Sequence, residues 1–116
     1  MSDCVVVEFN DPEPVLGGFR LLAELSAGGD IRLEDLEFTH SIDGMASTVL
    51  ARSVDTAMKP LERFATGTFD RATLDAVAQD LPHGNTAAMV RYDGAAMAQV
   101  LDLWRAAGVA VTSAMR

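Results

Sequence analysis

Apolar residues fall along this chain in two rhythms, a period of two that marks strands and a period near 3.6 that marks helices. Val5 to Val7 is a continuous β-branched run closed by Phe9, as expected of a strand inside a sheet and covered on at least one face. Asn10 to Pro14 stops it. The prolines have a fixed φ that suits helix entry, where Asp11 and Glu13 meet the positive end of the dipole. A helix from about Val15 to Ala27 follows, with Leu16, Phe19, Leu22 and Ala23 in a stripe.

The end of the chain repeats this plan with other residues. Thr86 to Tyr92 reads as a strand, Met97, Val100, Leu101 and Trp104 as a helical stripe, and Val109 to Met115 as a last strand. In both units a glycine, Gly28 or Gly108, follows an alanine where the helix should stop in the left-handed conformation.

Between the two units, alternation puts Ile31 and Leu33 on one strand face but Leu36 and Phe38 on the other, unless a bulge near Glu34-Asp35 resets the register. The acidic trio Glu34, Asp35 and Glu37 reads as a solvated edge, with a metal site as the alternative. Asp43-Gly44 predicts a hairpin turn, pairing Phe38 to His40 with Ser47 to Leu50 in an arm towards the edge of the sheet. Asp55 to Thr68 is the least regular stretch, with a short helix after Pro60. A better helix begins at Asp70, which caps it while Phe69 staples onto Leu74. Its buried stripe is Leu74, Val77, Ala78 and Leu81, and Pro82 and Gly84 end it.

Together these elements predict an α+β, ferredoxin-like domain spanning residues 1–116: two β-α-β units with an inserted hairpin arm and helix, about five strands, and helices on one face. The first helix is wider in apolar surface than one core needs, because Leu21 and Leu25 leave only Arg20, Glu24 and Ser26 polar. A second packing partner follows, either another helix of the chain or a subunit interface made by Phe19, Leu21 and Leu25. Gly17-Gly18 inside this helix costs about 1 kcal/mol per glycine relative to alanine, to be recovered by close backbone approach or avoided by a late helix start.

Composition narrows the partners. The chain has 116 residues, 49% hydrophobic and 22% charged, in the range of one globular domain. No stretch approaches the roughly 20 apolar residues of a membrane span, and the amino terminus lacks a secretory pattern, so a cytoplasmic protein is expected. A net charge of −8 argues against nucleic acid and anionic membranes. Cys4 is the one cysteine, expected to be a buried or half-buried structural thiol, and no metal or cofactor is expected. His40 and His83 read as solvated polar residues. His40 beside Ser41 and Asp43 is the one acid–base cluster the sequence offers.

The run from Ala27 to Leu36, the turn Asp43-Gly44 and the stretch from Leu81 to Val90 resemble landmarks of a family of small actinobacterial proteins of unknown function. That family is related to larger proteins described as membrane proteins, which carry a glycine-rich apolar hairpin where this chain has Asp55 to Thr68. The resemblance implies a ferredoxin-like fold and no activity. Two functions then stand side by side. One is a non-catalytic, self-associating interaction or regulatory module, a homodimer with room for a protein partner. The alternative is a small-ligand-binding protein or cofactor-free enzyme of the dimeric α+β barrel type, with a pocket between sheet and helices and His40 and Asp43 as the acid–base pair.

Overall fold

The structure, a computed structural model, describes residues 2–113. It is α+β, with one antiparallel sheet of five strands: β1 (Asp3–Phe9), β2 (Arg32–Ile42), β3 (Met45–Val49), β4 (Thr86–Asp93) and β5 (Ala110–Ser113). Helix α1 (Glu13–Ala27) follows β1, and α4 (Met97–Ala106) follows β4. The β3–β4 connection holds α2 (Ala51–Val54), a 3-10 helix (Thr56–Phe64) and α3 (Arg71–Asp80). The strand order is β3-β2-β4-β1-β5. β4 therefore lies between β1 and β2, and β1 lies between β4 and β5, which interleaves two β-α-β units in a manner compatible with the ferredoxin-like class.

Alternation along the strands divides the core. Val5, Val7 and Phe9, Leu36 and Phe38, and Ala88 and Val90 face α1, α4 and the 3-10 helix. Cys4, Ala46 and Met89 face the other way and pack with Phe69, Leu74 and Ala78 of α3 and its approach. The expectation of helices on one face is thus corrected. Thr86 to Val90 is buried at every position, the pattern of a strand covered on both faces, and α3 supplies the second cover.

Trp104 is fully buried beneath α1, edge-on to Phe19 at 4.9 Å, and Phe19 in turn meets Phe38 at 5.4 Å. The Trp104 indole N–H donates to the Val15 carbonyl at 3.1 Å. This approach explains the mid-helix glycine, because a Cβ on Gly18 would fall 2.2 Å from Trp104 Nε1. A late helix start is excluded, since α1 begins at Glu13 with a proline in its first turn. The helix stop shifts by one residue: Gly28 keeps a helical φ of −80°, and Gly29 takes the left-handed φ of 82°.

The wide face of α1 finds its second partner within the chain. Leu16, Phe19 and Ala23 lie across a small cleft from Met58, Pro60 and Leu61 of the 3-10 helix. Phe19 is only 1% exposed, so it belongs to the chain's own core and not to a subunit interface, while Leu21 and Leu25 are half-buried against that core. The hairpin forms as read, with Phe38 opposite Val49 and His40 opposite Ser47, and Asp43 and Gly44 both at positive φ. Asp70 caps α3 through the Thr73 N–H at 2.8 Å. The last strand ends at Ser113; the expected continuation to Met115 lies outside the described residues.

Gly18→Ala should cost about 1–3 kcal/mol by forcing Trp104 out of place. Gly17→Ala, whose Cβ would meet nothing within 4 Å, should stabilise by up to about 1 kcal/mol. Urea unfolding midpoints of the two variants check this, and equal effects would contradict the close-approach account.

Candidate functional site

The bulge expected near Glu34-Asp35 is present, as a register shift between Leu33 and Asp35 where β2 pairs with β4. Its consequence is chemical. Past the shift, Leu36 and Phe38 enter the helix-covered core, so Asp35 and Glu37 turn to the α3 face. The acidic trio is therefore not a solvated edge: β3 pairs only with Phe38 to Ile42, but beside the trio the Thr66 hydroxyl donates to the Glu34 carbonyl, and Asp35 is fully buried.

A buried carboxylate must be met by donors or it is strongly destabilising. Here they come from the segment before α3, more than 30 residues away in sequence. The Thr66 N–H donates to Asp35 Oδ1 at 2.9 Å, and the Thr68 and Phe69 N–H groups donate to Oδ2 at 2.8 and 3.0 Å. The Thr68 hydroxyl adds a bond at 3.0 Å. The intervening amide, on Gly67, donates to Glu37 Oε2 at 3.1 Å. Four consecutive backbone amides thus end on two carboxyl groups, the concave donor array that otherwise binds anions, and Gly67 supports it with a left-handed φ of 76°.

Asp35 and Glu37, two residues apart on β2, turn their carboxyls to the same face, where each acts on the titration of the other. Two carboxylates offer only acceptors, so a hydrogen bond between the two groups forms only when one of them is protonated. Burial pushes Asp35 upwards, but the bonds from Glu37, Phe69, Thr66 and Thr68 outweigh it and hold the carboxyl below its ordinary range. Burial, with the hydrogen bond and negative charge of Asp35, pushes Glu37 up to about 7. Of the two, Glu37 is therefore the carboxyl that takes up a proton first as pH falls.

Around the pair, Arg91 of β4 lies opposite both Asp35 and Cys4 in register. Its guanidinium stacks over Phe69 at 4.4 Å and donates to the Thr68 hydroxyl at 2.9 Å. Cys4 is buried, as expected, and burial pushes its thiol up, which keeps it neutral and unreactive. Glu37 also lines a pocket of about 190 Å³ beside the end of β3, walled by Leu36, Phe38, Val49 and Leu61. Glu62 borders the same pocket, and its hydrogen bonds with Arg52 hold it down at about 2.

The residues singled out from sequence lie elsewhere. His40 Nδ1 is 3.2 Å from Thr86 Oγ1, on the helix-covered face, and Asp43 is exposed in the turn; no hydrogen bond or ion pair joins them among the described residues. His83 is exposed. Among the described residues no group of three or more His, Cys, Asp or Glu is placed to hold a metal ion, and no helix is long and apolar enough to cross a membrane. Sequence reasoning found the bulge but missed the buried pair. The signal for it was Thr66-Gly67-Thr68, a donor-rich run immediately before the buried Phe69.

The two carboxyls give stability a window. The Asp35 contribution is present above the ordinary carboxylate range and is lost as pH falls through its lowered value. The Glu37 contribution is complete below 4.5 and is lost as pH rises through about 7. Urea midpoints should therefore peak between these limits and fall by about 1–2 kcal/mol on the neutral side, after discounting for partial exposure. Glu37→Gln should flatten that limb; a wild-type midpoint that keeps rising past pH 7 would contradict it.

Comparison with known proteins adds no identity to this geometry: no family model matches the chain, and no curated protein or solved structure matches it.

Proposed function

We propose that the chain is a non-catalytic interaction module of ferredoxin-like fold, acting in the cytoplasm, whose partner is a second copy of itself bound at the β2–β3 arm. The observation that carries this reading is the exposure of apolar side chains on that arm: Ile42, Met45 and Leu50 are 59%, 58% and 58% exposed. Ile42 and Met45 are cross-strand partners and form one apolar tip. With a net charge of −8, two copies can meet only where carboxylates are not brought together. β3, Met-Ala-Ser-Thr-Val, carries no charge at all.

The contact runs through side chains more than through added backbone pairing, because the Ala46 N–H already donates to Asp75 of α3 at 2.8 Å. A two-fold axis beside β3, away from the exposed Asp43 of the turn, would place the same apolar patch of each copy against the other, as closed dimers require. The likeness to a small actinobacterial family fits this reading, since it implies the fold and no activity.

A second reading, a small-ligand protein or cofactor-free enzyme, is favoured by the pocket beside Glu37. A carboxyl that titrates near neutrality at an apolar pocket suits general acid–base work better than the separated His40 and Asp43. In this reading Glu37 exchanges the proton and Asp35 holds its charge in place.

Native mass spectrometry at rising concentration tests both. The module predicts a dimer without added mass, shifted at least tenfold towards monomer by Met45→Lys. A wild-type monomer at all concentrations would overturn it. A reproducible added mass lost in Glu37→Gln would favour the pocket.

A further inference from the structure

We propose that the β5 edge and the groove beside it take an extended basic segment of another protein, which adds a sixth strand to the sheet and lays a Lys or Arg side chain over Val6 and Val77 to reach Glu8 and Asp80.

Helix α3 packs on β3 and β2 and leaves the other end of its face open. Between α3 and the β1–β5 pair runs a groove of about 420 Å³. Its floor is Val6 and Thr112, which are cross-strand partners, and its wall is Ala76 and Val77 of α3. Glu8 and Asp80 border this groove, and no cation does. Glu8 is half-buried and also borders a second cleft, of about 290 Å³, together with Asp11 and Ala110. Among the described residues neither Glu8 nor Asp80 takes part in an ion pair or a side-chain hydrogen bond.

The backbone beside the groove is equally unguarded. β5 closes one end of the strand order and pairs only with β1. An edge strand presents a row of outward N–H and C=O groups, and Ala110–Ser113 has neither a charge nor a proline to turn another strand away. At the opposite edge the Ala46 N–H is taken by Asp75. Among the described residues no side chain hydrogen-bonds to β5 in this way.

Charge selects the occupant. A second copy would bring Glu8 and Asp80 against their own counterparts, at a net charge of −8 for each chain. A Lys or Arg instead offers an aliphatic stem that suits Val6 and Val77 and a charged head that meets the carboxylates. Residues i and i+2 of an added strand share a face, so an aliphatic residue beside Thr112 falls two positions from a basic one beside Ala110 and Glu8. β3 and β5 lie at opposite ends of the sheet, so this segment and a second copy on the β2–β3 arm do not compete.

Selection against the full chain from a phage-displayed library of random peptides about nine residues long, enough for an ordinary strand and its flanks, followed by synthesis of the enriched peptides, tests the proposal. Enriched peptides should carry Lys or Arg two positions from an aliphatic residue. Their affinity should fall with added salt and drop about tenfold in the double variant Glu8→Gln/Asp80→Asn. It should drop at least as far in Ala76→Trp, which fills the groove from an exposed position, and stay unchanged in Met45→Lys. Bound peptide should slow hydrogen exchange over residues 110–113 and leave residues 45–49 as they were. No enrichment, enriched peptides without a basic residue, equal binding to the double variant or to Ala76→Trp, or unaltered exchange in β5 would overturn the proposal.

Discussion

A carboxylate with no solvent exposure near the middle of a five-stranded sheet constrains everything around it. Asp35 has only two oxygens to offer, and Arg91, its cross-strand neighbour, is engaged with Thr68 and the Phe69 ring, so its charge persists only if donors are carried to it. They come from the 66–69 backbone, which means that the long connection from β3 to β4 must return across the sheet. That return places Phe69 against Met89 and Cys4 and starts α3 over the face that α1 and α4 leave bare. One buried charge therefore positions a helix.

The opposite face is organised by shape. Trp104 reaches the α1 backbone where Gly18 has no side chain, and the Phe19 and Phe38 rings complete the contact. The two faces meet through β2, β4 and β1, whose side chains alternate between them. A change in the register of β2 would send Asp35 into the apolar core and Leu36 towards the polar loop, so the bulge after Leu33 is what allows both faces to be satisfied at once.

Much of this was legible in the chain. The repeated strand-helix-strand plan, the Asp43-Gly44 hairpin, the Asp70 cap and the bulge all follow from local patterns that their own neighbours enforce. What was not legible is set by distant partners. Glu34, Asp35 and Glu37 look like any solvated acidic run until the donors of Thr66 to Phe69 arrive from across the sheet. The width of α1 suggested a subunit interface because the covering residues, Met58 and Leu61, lie in the least regular stretch. His40 and Asp43 are neighbours in sequence, but the turn points Asp43 to solvent while His40 meets Thr86. The placement of α3 was hinted at by the unbroken apolar runs in β1 and β4, which need cover on both faces.

The site that results is a pair of carboxyls held by one loop at the margin of a small pocket, and the account rests on how their charges differ. Its most direct measurement is the titration of side-chain carboxyl carbons by NMR in the intact protein. The account predicts that Glu37 titrates near 7 while Asp35 stays ionised below the ordinary carboxylate range. A Glu37 midpoint near 4.5, the value of a free glutamate, would mean that neither burial nor Asp35 acts on it and would contradict the account.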